Sequence, residues 1–255
     1  MEPVNVGLLG LGTVGGGTLN VLLRNGTEIA RRAGREIVIS HAAARGYDAA
    51  ALDSLEGIEI TSDAFEVVDN PDVDIVVELI GGYSPARELV LKAIENGKHV
   101  VTANKALIAM HGHEIFSAAQ ASGVTVAFEA AVAGGIPIIK ALREGLAANH
   151  IEWISGIING TGNFILTEMR DKGRAFADVL KEAQALGYAE ADPEFDVEGI
   201  DAAHKLTILA SLAFGIPLQF DKCYTEGISK IEPQDVNLAE ELGYRIKHLG
   251  VCLLY

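Results

Sequence analysis

Asp201 and Lys205 stand four positions apart at the head of the run GIDAAHKLTILASLAFG. In a helix that spacing stacks a carboxylate and an ammonium on one face. A lysine held this way can deliver a proton to a developing alkoxide, while its carboxylate orients it or grips a substrate ammonium. From Leu206 onward the run is nearly all apolar, which places Lys205 in a crevice; a surface ion pair, common and individually weak, is the alternative. Upstream, an acidic loop carries Glu190, Asp192, Glu194, Asp196 and Glu198, with Pro193 barring a continuous helix. The helix ending at Leu186 stops at Gly187, a residue suited to a left-handed cap.

A second constellation opens the chain. Val4 to Leu9 is a short apolar run, followed by Gly10-Leu11-Gly12-Thr13-Val14-Gly15 and a helical stretch toward Leu23. Strand, GxGxxG and helix in that order form a dinucleotide-binding fingerprint. Gly10 permits the tight turn, Gly12 admits a pyrophosphate, and Gly15 lets the helix approach the strand. The phosphates would rest on free N–H groups at the positive end of the helix. The second strand, Glu36 to Ala44, runs into Arg45, with Asp48 the nearest acid. An arginine there can pair with a 2′-phosphate, which points to NADP with NAD still open; an exposed loop arginine is the alternative. Lys105 follows the strand Lys98 to Thr102, at the carboxyl end where open α/β sheets bind ligands.

These residues need a scaffold, and the patterning supplies one. Strands at 4–9, 36–44, 58–60, 74–80, 98–102 and 124–129 alternate with helices at 65–68, 85–96 and 114–121, the βαβ rhythm of a parallel sheet. Gly81-Gly82 closes the fourth strand. A glycine-rich turn, Ala130 to Ile136, then leads into a helix at 137–147. Beyond it the pattern changes: a strand at 151–158, a tight turn Asn159-Gly160-Thr161-Gly162-Asn163, helices at 164–170 and 176–186, the acidic loop, the helix carrying Lys205, a loop or short strand at 220–231, a helix at 235–242 and a strand at 244–254. The expected fold is α/β, with a Rossmann-type nucleotide domain at 1–131 and a partial α+β substrate and dimerisation domain at 132–255.

Positions Ala183, Gly187, Tyr188, Ala189, Asp192-Pro193, Asp196, Gly199, Asp201 and Lys205 together resemble the signature of homoserine dehydrogenases. The block VVTANK ending at Lys105, and NGT-x-N followed by Phe164, are similar to other motifs of that family. The resemblance spans almost the whole chain. It implies reversible NADP(H)-dependent interconversion of aspartate semialdehyde and homoserine, a step of threonine, methionine and isoleucine biosynthesis. Lys205 is then the proton donor, Asp201 orients it, and Glu190 and Asp201 hold the substrate ammonium. Asp196 and the N–H groups of the turn at Thr161 complete the substrate site. Lys105 and Gly187 join residues 10–15 and Arg45 at the cofactor, and Lys105 helps polarise the carbonyl. A monovalent cation, sodium, is implied on Glu129, Val132, Gly134 and Ile136. Family members form homodimers or higher homo-oligomers and continue well past Tyr255, so the strand at 244–254 is expected to lack partner elements here. That would leave a chain that binds nucleotide weakly, self-associates and oxidises little homoserine.

Composition narrows the rest. The chain is 49% hydrophobic with a formal net charge of −15, ample for a core and unsuited to nucleic acid or an anionic membrane. Cys223 and Cys252 show no metal or disulfide spacing, no histidine spacing resembles a zinc site, and the opening strand predicts no signal peptide, so a reducing cytoplasm is expected. Two other readings stand beside the main one: a different NADP-dependent dehydrogenase of a small amino-acid aldehyde, and a nucleotide-binding fragment that catalyses nothing.

Overall fold

The run VNVGLL forms a strand whose residues 6–9 are buried in succession, and it becomes the centre of a six-stranded parallel sheet. In the computed structural model, which describes residues 2–189 and 192–254, the chain divides into two compact units, Met1–Pro137 and Ile138–Tyr255. The first contains β1 (Val4–Leu9), α1 (Thr13–Ala33), β2 (Ile37–Ala43), β3 (Glu59–Thr61), α2 (Ala64–Asp69), β4 (Ile75–Glu78), α3 (Ala86–Glu95), β5 (His99–Thr102), α4 (Lys105–Ser122) and β6 (Val126–Ala127). The strand order is β3-β2-β1-β4-β5-β6, and every pairing is parallel. This is the doubly wound Rossmann order, whose strand sequence reverses between β1 and β4 and opens a crevice at their carboxyl ends. Val6, Leu8, Leu11, Leu19, Ile39 and Ala42 knit α1 to the first two strands.

The second unit begins with α5 (Ile138–Lys140), which runs into a π-helical turn at 141–145, and continues with β7 (Trp153–Gly156), α6 (Gly160–Lys172), α7 (Phe176–Ala185), α8 (Glu194–Val197), α9 (Ile200–Phe214), α10 (Pro233–Glu241) and β8 (Gly250–Leu253). Its core joins Ile165, Leu166 and Met169 of α6 to Val179 of α7, Val197 of α8, Val236 of α10 and Ile228. Arg174 bridges Glu168 on α6 and Glu182 on α7. Among the described residues no helix is long and apolar enough to cross a membrane.

Several elements differ from the sequence expectation, each for a local reason. The helix expected at 114–121 starts at Lys105, because the Asn104 side chain accepts the Leu107 N–H and caps it early. The strand expected at 124–129 shrinks to Val126–Ala127, and Glu129 sits in a short 3-10 turn. The helix expected at 137–147 widens instead, with the Leu146 N–H reaching back to the Ala141 carbonyl. The tight turn at 159–163 is the first turn of α6, capped by Asn159. The last strand keeps only residues 250–253. Upstream of it, Asn163 donates to the His248 carbonyl at 2.9 Å and accepts its N–H at 3.0 Å, occupying the groups a neighbouring strand would use. The expectation that this last strand lacks a partner is corrected: β8 pairs antiparallel with β7, Trp153 opposite Leu253.

Candidate functional site

The first unit builds its site from backbone. Gly10 follows β1 with φ of 101°, and a Cβ there would lie 2.9 Å from the Leu79 carbonyl oxygen, so only glycine makes this turn. At Gly15 a Cβ would sit 1.8 Å from the Gly10 carbonyl oxygen, which fixes how closely α1 crosses the strand end. Gly12 is the opposite case: a Cβ would meet nothing within 4 Å. The space beside it belongs to a cleft of about 470 Å³ lined by Gly10, Gly12, Ala43, Arg45, Asp63 and Ile80, among others. The cleft thus lies at the carboxyl ends of β1, β2 and β4, and Arg45 stands on its wall. Asp48 caps a short turn, its carboxylate accepting the Ala50 N–H at 3.0 Å. Leu11, Thr13 and Val14 complete the glycine turn, with Thr13 and Val14 opening α1.

A buried polar chain holds the far side of this end. Glu78, fully buried at the end of β4, accepts N–H groups from Ile80 at 2.9 Å and Gly81 at 3.1 Å. Its other oxygen takes the Thr102 hydroxyl at 2.6 Å. Thr102 in turn accepts the Asn104 N–H, and Asn104 donates to the Gly82 carbonyl at 2.6 Å. The result is a fixed register between the 80–82 loop and the start of α4, where half-buried Lys105 is the first helical residue. Sequence reasoning found Lys105 but not this support; the acid inside the apolar run DIVVELI was the available signal.

The second unit builds its site from side chains. Lys205 on α9 donates to the Asp201 carboxylate at 2.6 Å and to the Ile158 carbonyl at 3.0 Å. The lysine side chain is 19% exposed and the aspartate 7%, so the pair is largely withdrawn from water. Asn159 then joins this pair to α8: its amide nitrogen donates to Asp201 at 2.9 Å and to Asp196 at 2.8 Å. Its oxygen accepts the Gly162 N–H at 2.7 Å. Asn159 was missed as a site residue, although a side chain of the N-cap class before a helix was a usable signal. Thr161 departs from expectation in one respect, since its hydroxyl donates to the Tyr188 carbonyl at 2.8 Å and anchors the loop after Gly187, which itself has φ of 75° with open space where a Cβ would be. Glu190 lies outside the described residues.

His248 packs against the same cluster, 3.1 Å from where a Cβ on Gly199 would lie. Burial pushes its pKa below the usual histidine value, while the Asp201 carboxylate acts the other way. Among the described residues its buried Nδ1 has no hydrogen-bond partner. The residues expected to hold a cation fall on the turn after β6: Glu129 opens a 3-10 turn, Ala133 adopts φ of 51° and Gly135 φ of 84°, and the Ile136 N–H returns to the Ala133 carbonyl at 2.8 Å. Such a kinked turn aims successive carbonyls in different directions. No group of three or more His, Cys, Asp or Glu side chains able to hold a metal occurs among the described residues.

Comparison with known proteins adds independent findings. Residues 10–129 match the family model described as homoserine dehydrogenase, NAD binding domain, and residues 137–254 match that of homoserine dehydrogenase. The homoserine dehydrogenase of Pseudomonas aeruginosa is 72% identical over 252 residues, 99% of this chain and 58% of its own length. The crystal structure of a homoserine dehydrogenase from Thiobacillus denitrificans superimposes with a TM-score of 0.94 at 70% identity, over 99% of this chain and 58% of that one. A crystal structure from Archaeoglobus fulgidus named for the same family gives a TM-score of 0.85 at 34% identity, over 98% of this chain and 80% of that one. The chain therefore spans a little over half the length of the curated relatives it matches.

Proposed function

The chain belongs to the homoserine dehydrogenase family, and from that membership we propose that it interconverts L-homoserine and L-aspartate 4-semialdehyde with a nicotinamide cofactor. The observation that carries this reading is the half-buried Lys205–Asp201 pair, anchored on the Ile158 carbonyl. Reduction of an aldehyde places growing negative charge on its oxygen, and a positioned ammonium supplies the proton that charge requires. Lys205 is that donor; in the oxidative direction the same nitrogen takes the hydroxyl proton. Asp201 holds Lys205 and, with Glu190 and Asp196, offers anionic groups to the substrate ammonium. The first-turn N–H groups of α6 at Thr161 suit the substrate carboxylate.

The groups around the first cleft fit a dinucleotide. Gly12 leaves room for a pyrophosphate, residues 10–15 present the start of α1 to it, and the Arg45 guanidinium suits a 2′-phosphate, which favours NADP over NAD. Lys105 joins that set. When bound, the nicotinamide gives or accepts the hydride. The turn bearing Glu129, Val132, Gly134 and Ile136 suits a hard monovalent cation such as sodium, held by one carboxylate and backbone carbonyls. Cys223 and Cys252 are free thiols, in keeping with a reducing cytoplasm. Trp153, Val251 and Leu253 are each about half exposed or more on the β7–β8 ribbon, which favours pairing with a second copy; light scattering during size exclusion checks this, and a monodisperse monomer would refute it. The catalytic reading is tested by following NADP⁺ reduction with L-homoserine and with other small amino alcohols. Turnover confined to homoserine supports it, and an equal or higher rate with another alcohol refutes it.

A further inference from the structure

We propose that Asn159 is the positioning residue of the proton-donating pair: its amide fixes Asp201 through the same carboxylate oxygen that receives Lys205 and keeps the Asp196 carboxylate in register beside it. This inference rests on the functional reading above and adds a residue to it. The geometry assigns every polar atom of the side chain. The oxygen is committed to the Gly162 N–H, so the amide cannot flip without losing that cap, and the nitrogen therefore faces both carboxylates. The residue is 3% exposed, so water does not compete for these bonds.

The arrangement solves an electrostatic problem. Asp196 and Asp201 each place an oxygen within hydrogen-bond distance of one nitrogen, and like charges that close repel. Lys205 pairs with Asp201. A neutral donor shared between the two carboxylates offsets their repulsion without adding a second cation that would compete for the substrate ammonium. The same donor bond takes up one lone pair of the Asp201 oxygen that receives Lys205, so the ammonium is directed along the remaining lone pair and toward the Ile158 carbonyl. Asn159 thus acts through Asp201 without needing to touch the reacting atoms.

The test separates capping from positioning. Both Asn159→Ser and Asn159→Asp retain an oxygen able to cap α6, yet neither retains the shared donor. Four readouts are taken on the 255-residue chain: thermal midpoint, NADPH affinity, kcat and KM for homoserine, and the rate at which acetic anhydride acylates Lys205 at pH 8, quantified against exposed Lys181 by peptide mass spectrometry. The expected result for Asn159→Asp is at least tenfold lower kcat, unchanged NADPH affinity, and Lys205 acylation slowed about threefold or more, because the added carboxylate gives the lysine nitrogen a second charged partner. The double exchange Asn159→Asp, Asp196→Asn restores the charge count and should return acylation toward the parent rate. Asn159→Ser, read where the aspartate variant folds poorly, should lower kcat with little change in NADPH affinity. Parent-like acylation and kcat in both cap-preserving variants would overturn the proposal and leave Asn159 a helix cap. Acylation decides the matter even in a parent chain without turnover, an outcome that would count against the functional reading instead.

Discussion

The two units make their sites from different materials. At the carboxyl end of the first sheet the chain presents absences: glycines without side chains, a helix start and a cleft. In the second unit it presents a dense set of side chains, with Asn159, Asp196, Asp201 and Lys205 linked by bonds of 2.6 to 2.9 Å. A backbone site tolerates no added atom, whereas a side-chain site tolerates no lost one. The difference suits the proposed ligands. A cofactor common to many enzymes needs room and N–H groups, while a small amino acid needs charges set against one another.

The sharpest break in that contrast is at Asp201. Asp201→Ala leaves a half-buried ammonium without its carboxylate and takes one of two acceptors from the Asn159 amide, so stability should fall by on the order of 3 kcal/mol and turnover by about 100-fold or more. Urea unfolding and steady-state rates measure both, and a variant as stable as the parent would show the pair to be a solvated surface feature. Next come the glycines, where adding one carbon should have opposite effects at neighbouring positions. Gly15→Ala drives a Cβ into the Gly10 carbonyl and should cost about 1–3 kcal/mol with nucleotide binding largely lost. Gly12→Ala meets no protein atom within 4 Å, so the melting temperature should barely move while cofactor affinity drops about tenfold. Equal losses of stability at both positions would contradict the backbone account of the first site.

Smaller effects sharpen the picture. Arg45→Ala should weaken NADPH binding by about tenfold, the scale of one charge-assisted hydrogen bond, and leave NADH untouched; fluorescence titration of both cofactors decides it. Equal losses would remove Arg45 from phosphate recognition. The smallest effect is pH-dependent and belongs to His248. Burial lowers its folded pKa, so as pH falls through the ordinary histidine value the unfolded chain takes up the proton first. Its contribution to stability is therefore complete above that value and declines below it. Melting temperatures between about pH 7.5 and 5.5 should fall less steeply in His248→Gln than in the parent, and parallel slopes would show that His248 does not titrate differently on folding.

The contrast also explains what could be read from the sequence. The first site was legible because its parts are contiguous: β1, Gly10 to Gly15 and α1 follow one another, and a glycine reports its own backbone. The Asp201–Lys205 pair was legible for the same reason, four residues on one helix. Asn159 was not, since its carboxylate partners lie 37 and 42 positions away and nothing local announces them. The pairing of β7 with β8 was hidden likewise, because strand partners from opposite ends of the second unit leave no mark on either segment. Asn163 hid the fate of residues 244–249, which an apolar pattern alone reads as strand. The early start of α4 was missed because Gly112 and two histidines blur its periodicity, although Asn104 before Lys105 was a readable cap.

The central claim, that the second unit supplies the proton and the first holds the cofactor, reduces to one comparison. Parent and Lys205→Ala chains are mixed with saturating NADP⁺ and L-homoserine in a stopped-flow instrument, and NADPH formation is followed by its fluorescence, with NADPH affinity measured on the same samples. The account predicts homoserine-dependent NADPH formation in the parent, a rate about 10²–10⁴-fold lower in Lys205→Ala, and NADPH affinity within about twofold between them. NADPH formed at the parent rate by Lys205→Ala would contradict it.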